Sequence, residues 1–154
     1  MPKNEETSEA VLAAAETPLQ GPNPLVIYGR NEKERAELLS LAAKVATEAY
    51  SPEVVEYADI DELKDDYTMA LLKGSGEHVE RIEKRFEATL VAIFDNVQLL
   101  QPSNDVAKLV FQLFWELSEN DCQIILGLDT APEFTYFPRA HKFFLMQGAV
   151  FKTD

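Results

Sequence analysis

Two short stretches, LVAIF at residues 90–94 and QIILGL at residues 123–128, are almost wholly apolar, and each is set between longer amphipathic segments. A run of that length bounded by polar residues suits a strand covered on both faces, the environment of an interior strand in a parallel sheet. From Pro24 onward the chain repeats this alternation, with further short strand-like runs at residues 25–28, 54–58 and 148–151. Strand and helix patterns in alternation predict βα units, so the expected fold class is α/β, a three-layer parallel sheet of about five strands. The two apolar runs should be central.

The segments between the runs carry helical spacing. Leu38, Leu39, Ala42, Val45, Ala46 and Ala49 put one stripe on a helix over residues 34–50, which Pro52 then closes. Asp59 or Asp61 can cap a second helix that runs to about Lys73, stopped by Gly74 and Gly76, and residues 77–86 follow as a third. The most apolar helix lies at residues 105–117, where Val106, Leu109, Val110, Leu113, Phe114 and Leu117 recur at helical interval. Ser103, Asn104 and Asp105 are suitable caps for it, and Pro102 ends the loop before it. Residues 1–22, rich in Glu, Ala, Thr and Pro, are expected to be a disordered acidic tail, because an isolated helix as short as residues 10–15 is marginal in water.

Bulk properties narrow the functions open to the chain. Its 154 residues suffice for one core, here placed at residues 23–154, without disulfides or metals. No run approaches the roughly 20 apolar residues of a membrane span, and the start, MPKNEETSEAVLAAAE, lacks the pattern of a secretory signal, so no membrane partner and a cytoplasmic location are expected. Cys122 stands alone. With only His78 and His141 beside it, no zinc-ligand spacing exists and no metal site is expected. Cys122 opens an apolar strand and reads as a small buried thiol, not a nucleophile. The net charge of −13 disfavours binding to duplex DNA, which draws on neutralisation of phosphates by Lys and Arg. Arg81, Lys84 and Arg85 form the densest basic group, but Glu77, Glu80, Glu83 and Glu87 are interleaved with them, as on a solvated helix face.

The strand at residues 25–28 runs through Gly29 into a helix, where a phosphate-binding loop would sit. The segment NPLVIYGRNEKERAELL resembles the Walker A segment of DnaA-type ATPases, the replication-initiator group that includes the Hda regulators. Laid over GxxxxGK[ST], Gly29 takes the first glycine, Glu34 the second, Arg35 the lysine and Ala36 the hydroxyl residue. Glu34 would put a carboxylate where a phosphate lies, and Ala36 has no oxygen for magnesium. Arg35 keeps the charge without the compact geometry of lysine. We read the loop as an ordinary strand-turn-helix.

ATLVAIFDNVQLL resembles the Walker B segment of the same group. Asp95 matches its first acid, while Asn96 replaces the second, and an amide cannot act as a base. QIILGLDTAP resembles the sensor-one strand, with Gly127 and Leu128 where small hydroxyl residues are usual, and PRAHKFFLMQGAVFKTD resembles the arginine-finger box, with Lys142 at the finger position. The resemblance implies a P-loop NTPase core of the AAA+ RecA-like type in strand order 5-1-4-3-2, with degenerate nucleotide-binding positions Gly29, Arg35, Asp95 and Asn96. Within these residues it includes neither the helical lid nor a helix-turn-helix. The expected function is therefore a non-catalytic, regulatory or protein-interaction module in bacterial replication initiation, with no catalytic residues and no cofactor. Its expected partner is a protein, such as a replication-initiation ATPase. The alternative is a module that binds ATP or ADP with magnesium weakly and is completed by a partner.

Overall fold

A computed structural model describes residues 4–74, 76–101 and 104–154. Five strands, β1 (Leu25–Tyr28), β2 (Val55–Asp59), β3 (Val91–Asp95), β4 (Gln123–Leu128) and β5 (Ala149–Lys152), form one parallel sheet in the order β2-β3-β4-β1-β5. This is the expected order read from the opposite edge. Three strands, β2, β3 and β5, begin one residue later than their apolar runs suggest. In the β2–β3 pair at one edge the ladder continues past the apolar residues, so that Asp59 and Asp95 stand side by side at the end of β2 and β3.

Alternate strand residues feed two cores, because successive side chains point to opposite faces of a sheet. Leu25, Ile27, Val91, Ile93 and Ile125 pack beneath α1 (Glu5–Glu16) and α2 (Glu32–Ala49). Val26, Ala92, Phe94, Ile124, Leu126 and Leu128 face the other layer, built from α3 (Ile60–Leu72), α4 (Gly76–Lys84), α5 (Asn104–Glu119) and α6 (Arg139–Met146). Phe94 meets Phe86 and Phe114 at centroid separations of 5.5 and 4.8 Å, a cluster that anchors α5 to the centre of the sheet. Asp59 caps α3 by accepting from the Asp61 amide, and Gly74, at φ 65°, supplies the left-handed turn before α4. The expected cap Ser103 and the loop-ending Pro102 lie outside the described residues. No helix among the described residues is long and apolar enough to cross a membrane.

The first segment departs from expectation. Instead of a mobile tail over residues 1–22, residues 5–16 form α1, which lies across α2 with Thr7, Val11 and Ala15 buried. The helix is short, but packing rather than propensity holds it, since the small side chains of Ala42 and Ala46 on α2 leave room for close approach. Polar ties fix both ends. Asn4 caps α1, and Asn4 Nδ2 and Thr7 Oγ1 both donate to the Lys152 carbonyl, at 3.0 and 2.5 Å. Beyond the helix, the Tyr50 hydroxyl donates to the Glu16 carbonyl and the Leu19 amide donates to Gln123 Oε1. Asn23 then bridges to β4, accepting from the Ile124 amide and donating to the Cys122 carbonyl, both at 2.9 Å. The helix α6 is also absent from the periodicity reading, because it has only eight residues and half of them are exposed.

Because Val11 is fully buried, Val11→Ala removes two packed carbons and is expected to cost about 1–2 kcal/mol in urea denaturation. Exposed Glu9→Ala on the same helix should leave the midpoint unchanged; equal, negligible effects would mean that α1 is not docked in solution.

Candidate functional site

The C-terminal edge of the sheet, where ligands of open α/β folds bind, collects Gly29 after β1, Asp95 and Asn96 at the end of β3, and Asp129 after β4. What occupies this edge is decided by how soon α2 begins. Only Gly29, Arg30 and Asn31 separate β1 from α2. Asn31 is an excellent N-cap: its Oδ1 accepts from the Glu34 amide at 3.0 Å and its carbonyl accepts from the Arg35 amide at 3.1 Å. Glu32 and Glu34 in the first turn favour the same start, because carboxylates oppose the positive end of the helix dipole. Residues that would wrap a phosphate are helical instead, and two of their amides are already satisfied.

Arg35 follows one turn into α2 and points inward. Its side chain is 1% exposed, an extreme value for an arginine, and its guanidinium is held on three sides. Nη1 donates to the Gly29 carbonyl at 2.5 Å, Nε to Asp95 Oδ1 at 3.1 Å and Nη2 to Asn96 Oδ1 at 2.8 Å. The planar fork of arginine suits such divergent acceptors, whereas an ammonium would not span them. Asp95 Oδ1 also accepts from the Asn96 amide at 2.8 Å. That turn places Asn96 at φ 64°, a left-handed conformation that Asn tolerates better than most residues.

The network continues outward. Asn96 Nδ2 donates to Asp59 Oδ2 at 3.3 Å, and Gln98 Nε2 donates to Asn96 Oδ1 at 3.2 Å. Gln98 Oε1 in turn accepts from the Asp129 amide. The ends of β1, β2, β3 and β4 are thus joined through one buried cation and two amide side chains. Asp59, Gln98 and Gly127 were not singled out for this role from sequence. Gly127 belongs to it by shape: a Cβ there would collide with the Asp95 carboxylate and press on Leu39.

Several sequence expectations are placed differently by this geometry. Glu34 does not lie at the phosphate position. Neighbouring residues on a helix point about 100° apart, so turning Arg35 to the sheet directs Glu34 toward α1, where it lines a pocket of about 200 Å³ with Ser8, Glu37, Leu38 and Leu41. There its Oε1 is buried without a hydrogen-bond partner. Gly29 has a steric reason to be glycine, since a Cβ would strike the hydroxyl of Thr153, which covers it from just beyond β5 and donates to the Tyr28 carbonyl at 3.2 Å. Lys142 lies on α6 and turns back to its own chain, Nζ donating to the Glu133 carbonyl at 3.4 Å. Arg35, Asp95, Asn96 and Gly29 are brought together; Lys142 is not part of their network.

Cys122 is buried at the start of β4, and desolvation pushes its thiol up to about 12 despite a backbone hydrogen bond at Ala92. It does not pair with either histidine. His141 stacks on Phe111 with centroids 4.2 Å apart, and His78 lines a separate surface pocket beside Met69 and Arg81. Among the described residues no three His, Cys, Asp or Glu side chains converge on a common point as metal ligands would.

Comparison with known proteins gives these features a family context. A family model described as the bacterial DnaA ATPase domain matches residues 2–138. The chromosomal replication initiator protein DnaA of Oenococcus oeni is 25% identical over 130 residues, covering 84% of this chain and 28% of that protein. The chain therefore spans less than a third of the length of such relatives. Domain III of the Thermotoga maritima replication initiation protein DnaA superposes with a TM-score of 0.88 at 24% identity, covering 100% of this chain and 63% of that one. AMPPCP-bound DnaA from Aquifex aeolicus gives a TM-score of 0.87 at 22% identity, covering 98% and 46%.

Removing one partner from a buried ion pair leaves an uncompensated charge, so Arg35→Ala is expected to destabilise the fold by about 3–5 kcal/mol. In a double-mutant cycle, Arg35→Met combined with Asp95→Asn should cost clearly less than the sum of the two single changes, measured by urea denaturation. Additive losses would mean that the two side chains do not interact in solution.

Proposed function

Because this chain belongs to the family of bacterial DnaA ATPase domains, we propose that it acts in replication initiation as a non-catalytic, protein-binding domain that regulates other components of that machinery. The observation that carries this reading is the inward Arg35. A magnesium nucleotide needs a backbone cradle, a free cation for the β and γ oxygens, metal ligands and a positioned water. The residues here fit that group poorly. The cation is committed to Gly29, Asp95 and Asn96; the loop is shortened by the early start of α2; Ala36 has no hydroxyl; and Asn96 lacks a carboxylate to activate water.

The same network explains why Asp95 alone does not argue for a surviving metal site. Its Oδ1 already accepts from Arg35 and from the Asn96 amide, and the side chain is buried. A second reading rests on the AMPPCP-bound state of the Aquifex aeolicus protein: a weakened site in this chain, completed by a partner, that retains ATP or ADP with magnesium. That reading requires Arg35 to swing out and the first turn of α2 to unwind. The first step breaks three buried hydrogen bonds and the second undoes the Asn31 cap, which supports the first reading over the second.

Three measurements test the proposal. The purified chain should show no ATP hydrolysis, and a fluorescent ATP or ADP analogue should bind at best weakly, with or without magnesium. Steady turnover abolished by Asp95→Ala would overturn the non-catalytic reading. Restoring Glu34→Gly, Arg35→Lys and Ala36→Thr together should raise nucleotide binding without restoring turnover, since Asn96 remains. In gel shifts at physiological salt, duplex DNA should not be retained, given a net charge of −13; micromolar or tighter affinity would show a basic surface at work.

A further inference from the structure

On the face away from the Arg35 network, α5 and α6 border an open groove of about 740 Å³. Its floor is aromatic, formed by Phe111 and Phe144 at a centroid separation of 6.3 Å. Two helical stripes make its walls. Lys108, Gln112 and Trp115 recur at i, i+4 and i+7 along α5, and Arg139 and Phe143 recur at i and i+4 along α6. Phe143 is 64% exposed, and Trp115, whose ring rests on Phe144 at 5.8 Å, is 42% exposed, so both keep apolar surface open to solvent. Met146 extends the α6 stripe by a further turn, and the loop leading into α6 exposes Phe134 and Tyr136. Contiguous apolar surface of this kind on a soluble domain marks a contact site more often than chance.

The charge around the groove identifies the occupant. The chain carries 27 acidic residues against 14 basic ones, yet both charged residues that line the groove, Lys108 and Arg139, are cations, and among the described residues no carboxylate lines it. His141 completes the wall as a neutral ring, its pKa lowered by burial and by Lys108. Its neutrality leaves the positive charge to Lys108 and Arg139. Between two helices the groove offers no free strand edge for main-chain pairing. Such a surface takes the apolar face of a helix, as in other helix-in-groove contacts.

We propose that the α5–α6 groove binds an amphipathic helix of a partner protein whose apolar anchors sit on Phe111 and Phe144 and whose flanking residues are acidic. Phe143 and Trp115 clasp the anchors, and Lys108 and Arg139 pair with the flanking carboxylates. This surface rests on the reading of the domain as a protein-binding module, for which it supplies the contact face and the chemistry of the partner.

The test uses the full chain and a display library of helical peptides, randomised in both apolar and charged positions, with the Phe143→Glu chain as counter-selection. Trp115 is the only tryptophan, so its emission reports occupancy directly. Enriched peptides should carry apolar residues at helical spacing and net negative charge, and should shift Trp115 emission to the blue. Phe143→Glu and Arg139→Glu, both at exposed positions, should each weaken binding about tenfold or more with unchanged Tm. Replacing the peptide acids by lysines should recover binding to Arg139→Glu. Cationic or Phe143-independent peptides would overturn the proposal, as would no enrichment at all. So would tighter binding of a dT oligomer at Trp115, or a self-association that Phe143→Glu abolishes. Peptides that bind away from Trp115 would sink the groove but leave the protein-binding module standing, whereas ATP turnover would sink the module whatever the peptides do.

Discussion

A single buried guanidinium organises the functional edge of this domain. Arg35 is removed from water almost completely, and that desolvation is offset only because a carbonyl, a carboxylate and an amide oxygen converge on it. Each neighbour is shaped by this demand. Gly127 must lack a side chain to let Asp95 lie flat, Asn96 must turn left-handed to present its oxygen, and α2 must start early to aim the arginine inward. The result is a buried network at the C-terminal edge of the sheet in which Arg35 and Asp95 compensate each other's charge.

Much of the fold was legible because burial on both faces leaves a direct imprint on sequence. The apolar runs of β3 and β4 and the stripes of α2 and α5 identify the central sheet and its layers, and the segment order around Gly29 and Asp95 points to the family. The site was legible only in part. Substitutions at Glu34, Arg35, Ala36 and Asn96 are visible as departures from a motif, but a motif aligns positions and not directions. That Arg35 points at Asp95, and that Glu34 therefore points at α1, depends on where α2 begins. The signal for that start was present in Asn31 followed by Glu34, a cap with an acid three residues on.

α1 escaped notice for the opposite reason. Its composition resembles that of a flexible segment, and nothing local distinguishes Val11 and Ala15 from their neighbours. The decisive partners lie far away in sequence, at Ala42 and Ala46 and at the carbonyl of Lys152, a separation of 145 residues for the Thr7 bond. Tertiary packing of small residues is invisible to any window that short. The groove between α5 and α6 illustrates the complementary blind spot: α6 is too short for periodicity to reveal, and only the fold shows that Trp115 and Phe143 leave apolar surface exposed beside it.

The tie between the beginning of α1 and the end of β5 has a colloidal consequence. β5 is an outer strand of the sheet, and the Thr153 amide bonds inward to Tyr28, so the preceding Lys152 carbonyl faces outward. Asn4 and Thr7 occupy that carbonyl. An unguarded outer strand is a template for pairing with another chain, and here a helix tip acts as its guard. Fraying of the first turn of α1 would therefore do more than weaken the monomer: it would unmask a sticky rim, converting a local loosening into a route to precipitation.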